Sequence, residues 1–120
     1  MPSNIEYHRG EIVRVFLNPV VGSEQGGERP ALILSPAEIN QNLTIVLVAI
    51  ITSKGTERVF PTETLIVPPN GGLPRLSKVM LYQMRTIDKA RITGRYGAID
   101  RETMSRVETA LKIATGLTVL

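Results

Sequence analysis

The chain has 120 residues and a formal charge of +3 at pH 7, and 42% of its residues are hydrophobic. These values predict one soluble domain over residues 1–120 with a core of its own. With no Cys and a single His, disulfides, thiolate metal sites, Cys nucleophiles and paired-His catalysis are excluded, and we expect no metal or cofactor. The longest apolar run, residues 45–51, is too short for a membrane span, and no secretion signal is recognised, so we expect a cytoplasmic protein.

Short runs typical of β-strands fill the first three quarters of the chain. The runs are rich in Val, Ile and Leu and are separated by strong turn signals such as Ser35-Pro36 and Pro68–Gly72. Such a pattern is typical of a small barrel or sandwich. The predicted strands cover residues 12–17, 31–34, 43–52, 63–67 and 78–85.

The last segment changes from strand to helix periodicity. Asp100 is a suitable N-cap, and Gly116 is the predicted end of the helix. Between them, apolar residues recur at spacings of three and four, which predicts one face packed against the sheet rather than a cofactor site. These apolar residues are Met104, Val107, Leu111 and Ala114.

Basic residues are concentrated in residues 75–95, where Asp88 is the single acidic residue. This density of positive charge can attract a phosphate or an acidic partner, or it can simply form a solvated face. The sequence leaves both interpretations open. The basic residues are Arg75, Lys78, Arg85, Lys89, Arg91 and Arg95.

The connection between the first two predicted strands, residues 18–29, is long for a small β domain. Connections of this length are usually functional or mobile. The segment consists largely of polar residues and glycines, and Gly26 and Gly27 allow backbone amides to face an anion. The sequence therefore predicts a ligand-binding loop here.

Arg29 stands where this loop enters the second strand, directly before Pro30. Because proline disfavours a helical backbone at the preceding residue, we expect Arg29 to be extended. Its guanidinium can there bind a phosphate through two parallel hydrogen bonds. It can equally pair with Glu24 or Glu28 and order the loop, and both possibilities stay open.

Four blocks of residues carry a resemblance to a known family. They are Arg9-Gly10-Glu11-Ile12, the Gly22-Ser23-Glu24-Gln25 motif followed by Arg29-Pro30-Ala31, then Ile51-Thr52-Ser53, and Gln83-Met84-Arg85-Thr86-Ile87-Asp88. In this order they resemble the MazF/PemK toxins of bacterial toxin–antitoxin systems, over residues 9–117.

The resemblance implies a mainly β fold, an SH3-like small barrel of the CcdB/MazF type with a C-terminal amphipathic helix, usually as a homodimer. It implies a metal-independent endoribonuclease that cuts single-stranded RNA at short sequences, leaving 2′,3′-cyclic phosphate and 5′-hydroxyl ends. A MazE-like antitoxin is the implied inhibitor. The alternatives are a CcdB-like toxin of the same fold that binds DNA gyrase, or an inactive barrel that binds nucleic acid or antitoxin.

The resemblance places Arg29 and Thr52 at the catalytic centre. Metal-free RNA cleavage needs a proton acceptor, stabilisation of charge on the phosphate, and a donor to the leaving oxygen. Arg29 suits charge stabilisation or proton donation, because its pKa above about 12 makes it a poor base. Thr52 can donate to a phosphate oxygen or cap its own backbone. Glu24 is the candidate proton acceptor, or it orders the loop.

Further residues of these blocks are predicted to bind RNA. Recognition is expected to target unpaired bases, because side chains cannot read the deep groove of an RNA helix. Tyr82 either stacks on a base or belongs to the barrel wall. The predicted RNA-binding residues are Ser23, Gln25, Gly27, Ser53, Gln83 and Arg85.

Overall fold

The computed structural model describes residues 6–18, 21–23 and 26–119. The predicted site residues Glu24 and Gln25 lie outside the described residues. Within the described residues, none of the helices has the length and apolar character needed to cross a membrane.

A six-stranded antiparallel sheet forms the body of the protein, in the strand order β4-β5-β3-β2-β1-β6. The predicted small barrel-like fold is confirmed, with one difference: among the described residues, the end strands β4 and β6 do not pair, so the sheet stays open. The strands are β1 (Glu11–Phe16), β2 (Glu28–Ile33), β3 (Ile45–Thr52), β4 (Glu63–Ile66), β5 (Ser77–Asp88) and β6 (Ile92–Ala98).

Two α-helices complete the fold, α1 (Ala37–Asn42) and α2 (Arg101–Ala114). The predicted caps of α2 are confirmed, since Asp100 Oδ1 accepts a hydrogen bond of 2.8 Å from the Thr103 N–H and Gly116 has a φ of +78°. The sequence did not predict α1, which is too short to show a helical period.

Both faces of the sheet are buried, which explains the nearly continuous apolar runs. Strand β1 sends Ile12 into the layer beneath α2 and the neighbouring Val13 into the opposite layer. The predicted apolar face of α2 packs against the first layer through Val107, with Met104 and Leu111 partly buried beside it. The prediction that this face serves packing is confirmed.

The ladder between β2 and β3 ends early, at Ala31 opposite Ile50. Alternate residues of β2 turn their backbone groups toward β3, as in the 2.8 Å bond from Leu34 N–H to the Leu47 carbonyl. The same alternation reaches Pro30, which has no N–H to donate. The ladder between β2 and β1 nevertheless continues to Glu28. Strand β2 therefore stops pairing with β3 at Pro30 and stays paired with β1.

A short 3₁₀ turn at Asn70–Gly72 fixes the chain before residues 73–75, which line the candidate site. Gly71 has a φ of +69°, and a Cβ atom there would lie 2.5 Å from Ile12 Cδ1. We predict that Gly71→Ala lowers the free energy of unfolding by about 2–4 kcal/mol, because left-handed strain and overpacking add.

Gly116→Ala is the matched control for this prediction. Gly116 has a similar φ of +78°, but nothing lies within 4 Å of the Cβ position. It should cost only the left-handed strain, about 1–2 kcal/mol. Urea unfolding of both variants measures the difference, and equal losses would show that Gly71 is not closely packed.

Candidate active site

Two cavities open where β2 and β3 separate, and they share Arg29. We call them together the Arg29 groove. The first, of about 370 Å³, is lined by Arg29, Thr52, Lys54, Gly55, Lys78, Met80 and Tyr82. The second, of about 320 Å³, is lined by Arg29, its neighbours Glu28 and Pro30, Ile51, Ser53, Leu73, Pro74, Arg75, Ser77 and Tyr96.

Arg29 is half-buried at the point where the two cavities meet. Its Nε donates a hydrogen bond of 3.1 Å to the Gly26 carbonyl, which fixes the plane of the guanidinium. Glu28, one of its two predicted acidic partners, lies 3.9 Å from Arg14 instead. Among the described residues, none forms a hydrogen bond with the two terminal nitrogens of Arg29.

Thr52 ends β3 across the gap from Arg29, because the β2–β3 register extended past Pro30 sets these two residues opposite each other. The side chain is buried, and its Oγ1 accepts a hydrogen bond of 3.1 Å from the Lys54 N–H. An accepting hydroxyl keeps its proton to donate elsewhere. Thr52 therefore combines the backbone cap and the free donor that the sequence left as alternatives.

A buried ion pair supports the wall of the groove behind Tyr82. The Glu63 carboxylate accepts hydrogen bonds of 2.9 Å from Lys78 Nζ, 2.9 Å from the Phe60 N–H and 2.8 Å from the Tyr82 hydroxyl. Lys78 Nζ also donates to the Arg58 carbonyl at 2.9 Å. Every partner of this carboxylate is therefore a donor.

The titration of the cluster follows from these bonds. Burial by itself would raise the pKa of Glu63, but the hydrogen bonds from Phe60, Lys78 and Tyr82 outweigh it and hold the pKa below its usual value. Burial and the bond to Glu63 raise the pKa of Tyr82 to about 12. At neutral pH, Glu63 is ionised and Tyr82 is protonated, so this hydrogen bond is complete.

The other predicted RNA-binding residues lie at different distances from this centre. Ser53 lines the second cavity, and Ser23 is an exposed residue of the loop. Gly27 has a φ of +74°, and its N–H donates to Asn18 Oδ1 at 3.0 Å, which closes the base of the loop. Gln83 and Arg85, both half-buried on β5, are not among the residues that line the two cavities.

Most of the basic segment serves the fold rather than an exposed charged face. Lys78 pairs with Glu63, Lys89 donates to the Asn40 carbonyl, and Arg95 pairs with Glu11. Arg91 donates to the carbonyls of Phe16 and Asn18 at 3.2 and 2.8 Å. Arg75 is an exposed member that lines the groove.

The sequence did not single out several groove residues as site candidates. Arg75 and Lys78 appeared only as members of the basic segment, and Lys54 and Tyr96 were not considered. The spacing of Glu63 and Lys78 carries no signal, since they meet across the β4–β5 pair. The one hint in the sequence was Lys78, which stands directly before the apolar residues Val79–Leu81. A Lys in such a strand is buried and needs a buried partner.

A larger cavity of about 600 Å³ lies at the start of α2 and includes neither Arg29 nor Thr52. Its charged residues are already engaged. Asp100 caps the helix, and Arg106 pairs with Glu102 at 2.8 Å. The Arg29 groove, where Arg29 and Thr52 have donors that bond no described residue, is therefore the candidate active site.

The fold and the groove define a small, open β-sheet protein with a cleft at the end of the β2–β3 ladder, lined by Arg29 and Thr52. The chain belongs to the family described as PemK-like, MazF-like toxins of type II toxin–antitoxin systems, whose model matches residues 8–115. The resemblance read from the sequence is thereby confirmed.

Named relatives agree with this family. The chain is 39% identical over 109 residues to the endoribonuclease EndoA of Bacillus subtilis, covering 91% of this chain and 94% of that protein. It is similar to the crystal structure of MazF from Deinococcus radiodurans (TM-score 0.80, 25% identity, 94% of this chain and 99% of that one). It is also similar to a mycobacterial endoribonuclease in complex with its cognate antitoxin (TM-score 0.78, 25% identity, 95% and 99%).

The buried pair gives a pH-dependent prediction. Glu63→Gln leaves the Lys78 ammonium buried without its counter-charge, and we expect a loss of about 3 kcal/mol at pH 7. Since the folded pKa of Glu63 lies below its unfolded value of about 4.3, the wild type loses this stabilisation as the pH falls through the folded pKa. The gap between the two proteins should narrow from pH 7 to pH 3.

Urea unfolding at several pH values measures this gap. Glu57→Gln, at an exposed position of the loop before β4, is the matched control and should follow the wild type throughout. A gap that stays constant with pH would contradict the assigned charge of Glu63.

Proposed function

We propose that this protein is the toxin of a type II toxin–antitoxin system and cuts single-stranded RNA as a metal-independent endoribonuclease. The observation that carries the proposal is that the terminal nitrogens of Arg29, which bond no described residue, and the Thr52 hydroxyl line the same cavity. The relatives named as endoribonucleases support the class of reaction.

In the proposed reaction, the 2′-hydroxyl attacks the adjacent phosphate. The bond from phosphorus to O2′ forms and the bond to O5′ breaks, giving a 2′,3′-cyclic phosphate and a 5′-hydroxyl. Arg29 binds the non-bridging oxygens through its terminal nitrogens, where negative charge develops, and Thr52 donates to one of them. Glu24 is the proposed acceptor of the 2′-hydroxyl proton. Arg29 can protonate the departing oxygen, because a guanidinium is a stronger acid than an alcohol.

The surrounding residues favour a polyanionic substrate. Lys54 lines the first cavity and Arg75 the second, and neither pairs with a described carboxylate. Cations on both sides of Arg29 suit a nucleic-acid strand that passes through the groove. Ser53 contacts the nucleotides next to the cut, and Ser23, Gln25 and Gly27 contact RNA from the loop.

Gln83 and Arg85 contact nucleotides farther from the cut, because they lie on β5 beyond the two cavities. The protein acts in the cytoplasm as a homodimer. A MazE-like antitoxin inhibits it, as supported by the similar structure of an endoribonuclease with its cognate antitoxin.

The test is incubation with a long single-stranded RNA in EDTA, followed by mapping of the fragment ends. We expect discrete cuts with 5′-hydroxyl ends. Arg29→Ala should lower kcat on the order of 10³-fold and Thr52→Val about 10²-fold, because each removes a donor to the charged transition state. Thr52→Ser keeps the hydroxyl and should keep most of the activity.

Arg101→Ala is the control for loss of positive charge, since Arg101 is exposed on α2 and outside the groove. Its kcat should equal that of the wild type, and all variants should keep their circular dichroism spectrum. Folded protein that cuts no RNA would contradict the proposal and favour the gyrase-binding or inactive alternatives. Cleavage only with added divalent metal would contradict the metal-independent mechanism.

A further inference from the structure

Strand β5 bulges beside the groove. Ala49 of β3 pairs with Met84 of β5, but the next β3 residue, Ile50, pairs with Met80. Three β5 residues, 81–83, therefore lie opposite a single step of β3. Bulges of this kind re-aim side chains next to active sites. Tyr82 is the central residue of this bulge.

The ring of Tyr82 is exposed in the same cavity as Arg29 and Thr52. Its exposed fraction is 52%, and it lines the cavity together with both residues. A large aromatic side chain exposed to solvent loses the benefit of burial unless something covers it. Its position beside a phosphate-binding pair makes a nucleotide the fitting cover.

The hydroxyl end of Tyr82 is anchored. It donates a 2.8 Å hydrogen bond to Glu63 Oε2, while the other carboxylate oxygen is held by Lys78 and the Phe60 N–H. The ring is thus fixed at one end before any ligand arrives. A rigid aromatic side chain loses little conformational entropy on binding, so its contact area contributes more to affinity.

The ring of Phe60 has different neighbours from the ring of Tyr82. Lys78 Nζ and Arg58 lie 5.6 and 5.9 Å from the centre of the Phe60 ring. Among the described residues, no cation lies over the ring of Tyr82. Its ring is therefore suited to stacking on a nucleobase, whose π-face is common to all four bases.

We propose that Tyr82 is a stacking platform for the base next to the phosphate held by Arg29 and Thr52. Glu63 is a positioning residue that holds the ring, and Lys78 and the Phe60 N–H hold the Glu63 carboxylate in place. This inference rests on the proposed cleavage of RNA and adds a base-binding residue to the site.

The experiment measures binding by fluorescence anisotropy, with a labelled single-stranded RNA that contains one mapped cleavage site. A 2′-deoxy substitution at the attacking sugar prevents cleavage. Tyr82→Leu should bind about tenfold more weakly than the wild type. Tyr82→Phe keeps the ring but loses its anchor, and should bind only about twofold more weakly.

Two further RNAs separate stacking from a general structural effect. One has an abasic nucleotide before the cleavage site, and the other has it after the site. At one of these two positions, loss of the base should weaken wild-type binding about tenfold. At that same position, loss of the base should hardly change the affinity of Tyr82→Leu, because the aromatic stacking partner is already gone. Tyr82→Phe keeps the ring, so loss of the base should weaken its binding as it does in the wild type. Glu63→Gln also keeps the ring and should behave in the same way.

Three outcomes would overturn the inference. One is a loss of affinity on removal of the base that is equal in wild type and Tyr82→Leu at both positions. If the wild type still cuts RNA, this outcome contradicts the role of Tyr82 but not the proposed nuclease activity. Another is dissociation of an oligomer in Tyr82→Leu by light scattering, which makes Tyr82 a subunit contact. The last is a wild type that neither cuts nor binds RNA, in which case the proposed function fails as well.

Discussion

The missing N–H of Pro30 is the constraint on which the site depends. Strand β2 keeps its ladder with β1 through Glu28, but its ladder with β3 ends at Ala31. A sheet interior normally leaves no room for a ligand between neighbouring strands. Because the ladder ends here, a cavity lies between Arg29 and Thr52 where β2 and β3 would otherwise continue to pair. The groove therefore has Arg29 on β2 and Thr52 on β3, with residues of the segments after β3 and before β5 around them.

Two groups of positive charges differ in their role. Lys78 and Arg95 pair with the buried carboxylates Glu63 and Glu11, and they hold β4 to β5 and β1 to β6. Arg29 and Arg75 pair with no described carboxylate and line the groove. Of the cations that line the groove, only Lys78 pairs with a described carboxylate. A count of basic residues along the chain does not distinguish these two groups.

Much of the fold could be predicted from the sequence, because β3 is almost entirely apolar and β1, β2, β4 and β5 each contain a short apolar run between turn signals. Strand β6 was missed because its Gly94, Arg95 and Gly97 dilute any apolar pattern. The loop glycines and Arg29 before Pro30 pointed to an anion site, whereas the significance of Thr52 rested on the resemblance alone. The Glu63–Lys78–Tyr82 cluster could not be predicted, because the β4–β5 register and the β5 bulge bring its members together.

A structure of the protein bound to a single-stranded RNA with a 2′-deoxy sugar at the cleavage site measures the arrangement most directly. The scissile phosphate should lie between β2 and β3, with its non-bridging oxygens within hydrogen-bond distance of the terminal nitrogens of Arg29 and of Thr52 Oγ1. A scissile phosphate bound instead in the cavity at the start of α2, or held by Gln83 and Arg85 away from Arg29, would contradict this arrangement.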